Sequence, residues 1–110
     1  MEADTIYTGK VVRDGHVAVL YSPGFGAGWS TWNSAYPELM FDPAIVKMLE
    51  QDSSVEELVT YCSLKYPDAY LGGLSDLQIE WVKEGTLFRV TDYDGNESIE
   101  YNDDLTWLVA

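Results

Sequence analysis

Few side chains of this chain could act as a nucleophile or as a general base, because the chain contains one histidine, His16, and one cysteine, Cys62. Histidine is the side chain used most often in general acid–base catalysis. His16 lies beside a predicted hairpin turn, whereas Cys62 lies on the apolar stripe of a predicted helix. Reactive cysteines occupy accessible, electropositive places. We therefore interpret Cys62 as a small buried hydrophobe and His16 as a solvated turn residue, and we predict no catalytic residue.

The chain has nineteen acidic residues, and a catalytic pair of carboxylates usually has one member in an apolar pocket that raises its pKa. The sequence indicates no such pocket beside any two of these acids. Segment 92–100 places oxygen-bearing side chains at alternate positions, as a calcium loop does. An EF-hand loop has its glycine sixth and its glutamate twelfth, whereas here they are fourth and ninth. A hairpin turn through Asp94, Gly95 and Asn96 explains the segment better, so we predict neither a metal site nor a cofactor.

A loop at 22–33 carries glycines at every second position from 24 to 28, after a predicted strand. It lacks the spacing of a dinucleotide fingerprint and the lysine of a P-loop. No lysine or arginine lies between Arg13 and Lys47, so a phosphate would meet no permanent cation there. Two interpretations stay open. Phe25, Trp29 and Trp32 either pack into the core, or some of them stay exposed as a binding anchor.

Net charge is the strongest compositional signal: the chain carries −13 at pH 7, with a pI near 4.1. Residues 1–55 hold seven acids and three bases, and residues 56–110 hold twelve and three. Such a field repels nucleic acid and anionic membranes and steers the protein toward a basic partner. The alternative is that acidity serves only solubility.

The length of 110 residues and a hydrophobic fraction of 46% predict a single folded domain, 1–110. One cysteine excludes an internal disulfide and a cysteine-based zinc site. No apolar run reaches membrane-spanning length, and the N-terminus has no secretory pattern. We expect a cytoplasmic protein.

The N-terminal region predicts a hairpin. One strand is expected from Ile6 to Val12 and another over 17–21, joined by a turn at 13–16 that contains Asp14 and Gly15.

Two helices are predicted after the hairpin, and the residues at their N-termini mark where they begin. Asp42 before Pro43 predicts the first N-terminus, and Ser54 with Glu57 forms a capping box that opens a second helix running to about Tyr66. The expected apolar stripes are Ile45, Met48 and Leu49, then Val55, Leu58, Val59, Cys62 and Tyr66.

The segment 77–110 predicts a meander of short strands separated by turn residues. Its polar residues Glu80, Arg89, Asp92, Glu97 and Glu100 are expected to form an acidic sheet surface. The fold class is therefore α+β: a mostly antiparallel sheet, built from the N-terminal hairpin and the C-terminal meander, with two helices packed on one face.

Segments 19–33, 41–43 and 72–97 resemble small proteins without assigned activity that are encoded by bacteriophages and prophages. The resemblance covers most of the chain, and its more specific parts are Gly-Ala-Gly-Trp-Ser-Thr-Trp at 26–32 and Asp-Tyr-Asp-Gly at 92–95. It implies a context of host takeover or counter-defence, which includes anti-CRISPR proteins and nucleic-acid mimics. It assigns no residue roles.

The function we predict is that of a non-enzymatic acidic interaction protein, encoded by a phage. It would occupy or inhibit a basic, nucleic-acid-binding surface of a host protein in the host cytoplasm and would not itself bind nucleic acid or membrane. The predicted partner contacts are eight acids and two possible aromatic anchors: Glu80, Glu84, Asp92, Asp94, Glu97, Glu100, Asp103, Asp104, Trp29 and Trp32.

Two alternatives stay open. The glycine–aromatic loop 22–33 would bind or sequester a small molecule such as a nucleotide, and a nucleotide would then stabilise the protein against heat. Alternatively, the protein is a structural homo-oligomer assembled through edge strands of its sheet. Because the subunits repel one another, such an oligomer would weaken as salt falls.

Overall fold

The fold is described from a computed structural model that covers residues 5–7, 9–24 and 26–101. Within these ranges the strands are β1 (Thr5–Tyr7), β2 (Lys10–Arg13), β3 (His16–Tyr21), β4 (Gln78–Lys83), β5 (Phe88–Tyr93) and β6 (Asn96–Tyr101). The α-helices are α1 (Pro43–Glu50) and α2 (Val55–Lys65), and short 3-10 helices lie at Ser30–Trp32, Pro37–Met40 and Leu74–Asp76. The predicted α+β class is confirmed. Predictions for Phe25, Asp103 and Asp104 lie outside the described residues.

The first predicted strand is two strands. β1 and β2 pair antiparallel with Tyr7 opposite Lys10, and Gly9 between them has a φ of +77°. Glycine adopts such a positive φ at little cost, so the chain reverses here instead of running straight on to Val12. The prediction of one continuous strand is wrong, and the sheet gains an additional edge strand.

The predicted hairpin turn is confirmed between β2 and β3. Arg13 pairs with His16, so the connection consists of Asp14 and Gly15 alone, and both have positive φ, 51° and 74°. A two-residue type I′ turn requires this geometry at both positions, and Asp-Gly is among the pairs that adopt it most readily. Local turn chemistry therefore fixes this register.

The strands form two sheets where the sequence predicted one. The first has the order β1-β2-β3-β4, and the second consists of β5 and β6. β4 pairs along the whole of β3, from His16 opposite Lys83 to Tyr21 opposite Gln78. A turn at Gly85, which has a φ of 85°, then carries the chain away from the first sheet. The C-terminal strands are present, but β4 belongs to the N-terminal sheet and not to a continuous meander.

The second sheet joins the first where β3 ends. Pro23 forms an isolated antiparallel bridge with Asn96, and the Glu97 amide donates to the Ser22 carbonyl over 2.9 Å. At its other end the hydroxyl of Tyr101 donates to Glu80 of β4 over 2.6 Å. β6 is thus tied to the first sheet at both of its ends.

Both helices begin at the predicted caps. Asp42 accepts hydrogen bonds from the amides of Ala44 and Ile45, and Ser54 and Glu57 form the complete capping box. The helices pack on one face of the first sheet, as predicted, where Ala18 and Leu20 join the core. The buried helical residues are Ile45, Val46, Leu58 and Cys62.

The apolar stripe of α2 is narrower than predicted. Val55 and Val59 are exposed, whereas Leu58, Cys62 and Tyr66 are buried. The three buried residues follow one line along the helix, at i, i+4 and i+8, so the face that packs inward is narrower than the predicted stripe.

Candidate interaction surface around Trp32

The predicted acidic sheet surface is divided by the pairing of β5 with β6. Arg89 lies opposite Glu100, and Asp92 lies opposite Glu97. Because side chains alternate between the two faces of a strand, the first pair and the second pair project from opposite faces of this sheet. Arg89 and Glu100 form an exposed ion pair at 2.8 Å. A single acidic face is therefore not formed, and this corrects the prediction.

Glu97 is among the predicted partner contacts, but it lies in the interior with 1% of its surface exposed. One carboxylate oxygen, Oε1, accepts from the Ser22 amide at 2.9 Å. The other, Oε2, accepts from the amides of Trp29 and Thr31, at 2.8 and 3.0 Å, and from the Thr31 hydroxyl at 2.6 Å. All four donors belong to the glycine–aromatic loop 22–33. Glu97 therefore holds this loop against β6 and is not available to a partner.

Trp29 is also buried, with no exposed surface, and its indole N–H donates to the Leu39 carbonyl over 3.1 Å. It belongs to the core and is not an anchor, which settles one of the two open interpretations for this residue. The remaining predicted acids among the described residues are Glu80, which is half-buried and accepts from the Tyr101 hydroxyl, and the exposed Glu84, Asp92, Asp94 and Glu100.

Trp32 is exposed and lies beside two further polar or aromatic side chains. Its ring centroid is 5.0 Å from that of Tyr70, and its indole N–H donates to Asp92 Oδ2 over 3.1 Å. The Gly95 amide donates to the same oxygen over 3.2 Å. We call Trp32, Tyr70 and Asp92 the aromatic–acidic patch. It brings together a predicted anchor and a predicted acid from segments that lie 60 positions apart.

Glycines form the floor beneath the Trp32 ring. A Cβ atom added at Gly28 would lie 2.3 Å from the indole, and one added at Gly95 would lie 2.8 Å from it. The backbones of these glycines also pair, since the Gly28 amide donates to the Gly95 carbonyl over 2.8 Å. The alternating glycines of the loop therefore allow the loop and the β5–β6 turn to approach each other beneath a flat indole.

Tyr70 is not among the predicted site residues. Its backbone is clamped by Asn33, whose side chain accepts from the Tyr70 amide at 2.7 Å and donates to the Tyr70 carbonyl at 3.0 Å. Its hydroxyl donates to the Gly26 carbonyl over 2.6 Å. Only the tertiary contact with the loop distinguishes it from other tyrosines, so no local pattern marks it.

We expect Gly28→Ala to displace Trp32 and lower the free energy of unfolding by about 2 kcal/mol, through positive-φ strain and the steric clash with the indole. Gly26→Ala is the matched control, because Gly26 has a φ of +73° but open space around its Cβ position. It should cost about 1 kcal/mol from backbone strain alone. Urea denaturation measures both values. Equal losses for the two variants would contradict the proposed packing of Trp32 on Gly28.

The candidate nucleophile and base are placed as the sequence predicted. Cys62 is fully buried, and burial raises the pKa of its thiol to about 11. His16 is exposed, and its Nδ1 lies 2.9 Å from the Asp14 carbonyl oxygen. In the part of the chain that the structure describes, no group of three His, Cys, Asp or Glu side chains could hold a metal ion.

A second buried carboxylate, that of Asp42, caps α1 and also accepts from two tyrosines. The Tyr66 hydroxyl lies 2.5 Å and the Tyr61 hydroxyl 2.8 Å from Oδ2, and Lys65 Nζ lies 3.4 Å from the same oxygen. Burial, followed by the hydrogen bond to Asp42, raises the pKa of Tyr66. This cluster joins the start of α1 to the end of α2, and every one of its polar groups has a partner.

Comparison of the chain with protein-family models, curated proteins and solved structures finds no match. No helix within the described ranges is long and apolar enough to cross a membrane.

Proposed function

We propose that this protein is a non-enzymatic interaction protein that binds a basic surface of another protein, with the aromatic–acidic patch as its anchor. The observation that carries the proposal is the fixed contact between Trp32 and Asp92. Trp32 and Tyr70 leave 42% and 41% of their surface exposed. Tryptophan and tyrosine dominate the binding energy of protein interfaces, and their faces attract the guanidinium of arginine.

The patch has an unused acceptor beside its rings. Both described hydrogen bonds to the Asp92 carboxylate, from Trp32 and Gly95, end on Oδ2. No hydrogen bond from a described residue ends on Oδ1, so this oxygen can accept from an arginine stacked on the Trp32 ring. A carboxylate beside an aromatic face is well suited to guanidinium, which stacks and donates in the plane of the group.

The fixed position of the rings favours binding. Glycines support Trp32 from below, Asp92 holds its N–H, and Asn33 clamps the backbone of Tyr70. Side chains already held in place lose little conformational freedom on association. The patch thus supplies specificity, whereas the net charge of −13 attracts the basic partner over a longer range.

The remaining acids contribute to the attractive field and not to the anchor. Glu84, Asp94 and Glu100 are exposed, and Glu80 is half-buried. Asp103 and Asp104 stay predicted contacts outside the described residues. The partner of this proposal is a nucleic-acid-binding protein, because such proteins present lysines and arginines for phosphates. The resemblance to phage-encoded proteins extends the proposal to inhibition of a host complex, anti-CRISPR-like or by nucleic-acid mimicry, in the host cytoplasm.

Nucleotide binding by loop 22–33 receives less support from the contacts. The amides of Ser22, Trp29 and Thr31 donate to Glu97, and those of Gly26 and Gly28 donate to carbonyls of the β5–β6 turn. A phosphate would have to displace an internal carboxylate to reach the first three donors, and backbone carbonyls to reach the other two. The homo-oligomer alternative stays a prediction, which a mass measurement at low and high salt would test.

A labelled oligoarginine peptide tests the anchor directly. We expect the protein to bind it at low salt, and Asp92→Asn or Trp32→Ala to weaken binding about tenfold, the equivalent of about 1.4 kcal/mol. Glu56→Gln removes the same charge from the exposed first turn of α2 and should bind like the wild type. Equal weakening by Asp92→Asn and Glu56→Gln would show that peptide binding depends only on net charge, and would overturn the role of the patch.

A further inference from the structure

The outer edge of β5 has no partner strand in the part of the chain that the structure describes. The second sheet consists of two strands, and β5 pairs with β6 alone. Natural edge strands are commonly protected from pairing by proline, by lysine or by a bulge. β5 has the sequence Phe-Arg-Val-Thr-Asp-Tyr, and its register with β6 is unbroken from Phe88 to Tyr93. This edge therefore lacks the usual features that prevent another strand from pairing with it.

The hairpin turn determines which backbone groups of β5 point outward. Tyr93 and Asn96 flank the two-residue turn, and residues in that position exchange both of their backbone hydrogen bonds. Bonded pairs then recur at every second residue along the hairpin. The Glu97 amide accordingly points away from β5 and donates to the Ser22 carbonyl. Three residues of β5 direct their backbone groups away from β6 in the same way, and we call them the outer row: Phe88, Val90 and Asp92.

The outer row offers free backbone groups beside the aromatic–acidic patch. Within the described ranges, no hydrogen bond involves a backbone N–H or C=O of this row. Its side chains share one face of the hairpin, because side chains alternate along a strand. Phe88 and Val90 are apolar and half-buried, whereas Asp92 is exposed and belongs to the patch. The edge thus combines unpaired main-chain groups with two apolar side chains and one acid.

From this edge we infer that the basic partner binds as an added strand, antiparallel to β5, with an arginine opposite Asp92, an inference that rests on the proposed function. Extended peptides bind free sheet edges through main-chain hydrogen bonds, and their alternate side chains supply specificity. Side chains directly opposite each other have Cβ atoms about 5 Å apart, so the arginine lies beside Asp92 on the face that carries Trp32. Residues two and four positions after the arginine lie opposite Val90 and Phe88, and we expect them to be apolar.

Charge distinguishes between the possible occupants of this edge. Pairing with a second copy of the chain would bring together two proteins that each carry −13 at pH 7. Such proteins repel one another, whereas the same field attracts a segment rich in lysine and arginine. The acid at the end of the outer row then favours a basic side chain opposite it. A basic extended segment of another protein therefore fits the edge better than a second copy does.

Amide hydrogen exchange with the peptide Lys-Arg-Thr-Val-Thr-Val-Lys tests the added strand. At low salt and saturating peptide, exchange of the Val90 and Asp92 amides should slow at least about tenfold, because hydrogen-bonded amides are protected. The Arg89 and Thr91 amides bond to β6 with or without the peptide and are the internal control. Equal slowing of all four amides, or of none, would overturn the inference. Slowing of the outer row in concentrated protein without peptide would place a second copy on the edge and would also overturn it.

N-methylated forms of this peptide identify which side of the added strand is bonded. In the antiparallel arrangement the amides of its valines face β5, and the amides of its threonines face away. Methylation of both valine amides should weaken binding at least about tenfold, whereas methylation of both threonine amides should change it less than about twofold. Fluorescence anisotropy of labelled peptides measures both affinities. Equal affinity of the two methylated peptides would contradict an added strand.

Variants of Val90 make the same test on the protein. Val90→Pro removes an outward N–H and leaves the bonds to β6 in place, so it should weaken binding of the peptide at least about tenfold. Val90→Thr keeps this N–H and should weaken binding about threefold, through its smaller apolar contact. Wild-type affinity of Val90→Pro, together with weaker binding by Asp92→Asn, would overturn the added strand and retain the proposed function. Binding that Asp92→Asn does not weaken would overturn both.

Discussion

Glu97→Gln is expected to lower the free energy of unfolding by about 3 kcal/mol, because hydrogen bonds to a charged group contribute about 1.5–3 kcal/mol each. The variant keeps the volume of the side chain. However, it replaces one acceptor oxygen with an N–H₂ group that faces an N–H donor, either that of Ser22 or those of Trp29 and Thr31. For a domain of this size the midpoint of thermal unfolding should fall by about 10–20 °C.

Glu100→Gln is the control for this loss, since it makes the same chemical change on the same strand. Glu100 is exposed, and its partner in the structure is Arg89 on the neighbouring strand. Such pairs contribute little, so the control should change stability by less than about 0.5 kcal/mol. Thermal and urea unfolding followed by circular dichroism measure both variants. A similar small effect for the two would show that Glu97 does not hold loop 22–33.

Asp42→Ala is expected to destabilise the protein by about 3 kcal/mol, the sum of a lost helix cap and of buried hydroxyl groups left without an acceptor. Asp42→Asn should cost less, because Oδ1 accepts both helix amides and an asparagine oxygen can replace it there. Ser54→Ala removes the cap of α2, which makes no tyrosine contact, and should cost about 1 kcal/mol. Equal losses for Asp42→Ala and Ser54→Ala would contradict the structural role of the tyrosine contacts.

The same cluster predicts an alkaline loss of stability. Tyr66 has a pKa raised by burial and by its hydrogen bond to Asp42, so the native state holds the proton more tightly than the unfolded chain. The stabilisation is complete below the unfolded pKa, about 10, and declines as pH rises above that value. Tyr66→Phe should reduce this slope when the urea midpoint is followed from about pH 8 upward. An unchanged slope would contradict the shift.

Local chemistry accounts for the parts of the fold that the sequence predicted well. Asp-Gly turns adopt positive φ with little strain, so both hairpin turns fall at the predicted residues, Asp14-Gly15 and Asp94-Gly95. The caps at Asp42 and Ser54 likewise depend on hydrogen bonds within three residues. These features need no knowledge of the tertiary structure.

The predictions that are wrong concern features that depend on contacts between residues far apart in the sequence. Glu97 resembles a surface acid in a polar strand, and only the packing of loop 22–33 on β6 buries it. The pairing of β4 with β3 instead of β5 depends on the register between distant strands, which a run of β-prone residues does not specify. Trp32 and Asp92 were identified by residue type, but their contact with each other and with Tyr70 is set by the fold alone.

Capture of a partner from bacterial lysate at low and high salt is the most direct test of the proposed function. Wild type, the double variant Asp92→Asn/Trp32→Ala and Glu56→Gln are compared in parallel. We predict that wild type and Glu56→Gln retain the same nucleic-acid-binding protein. High salt or added double-stranded DNA should release it, and the patch variant should fail to capture it. Capture of the same protein by the patch variant, or no salt-sensitive partner for any of the three proteins, would contradict the account.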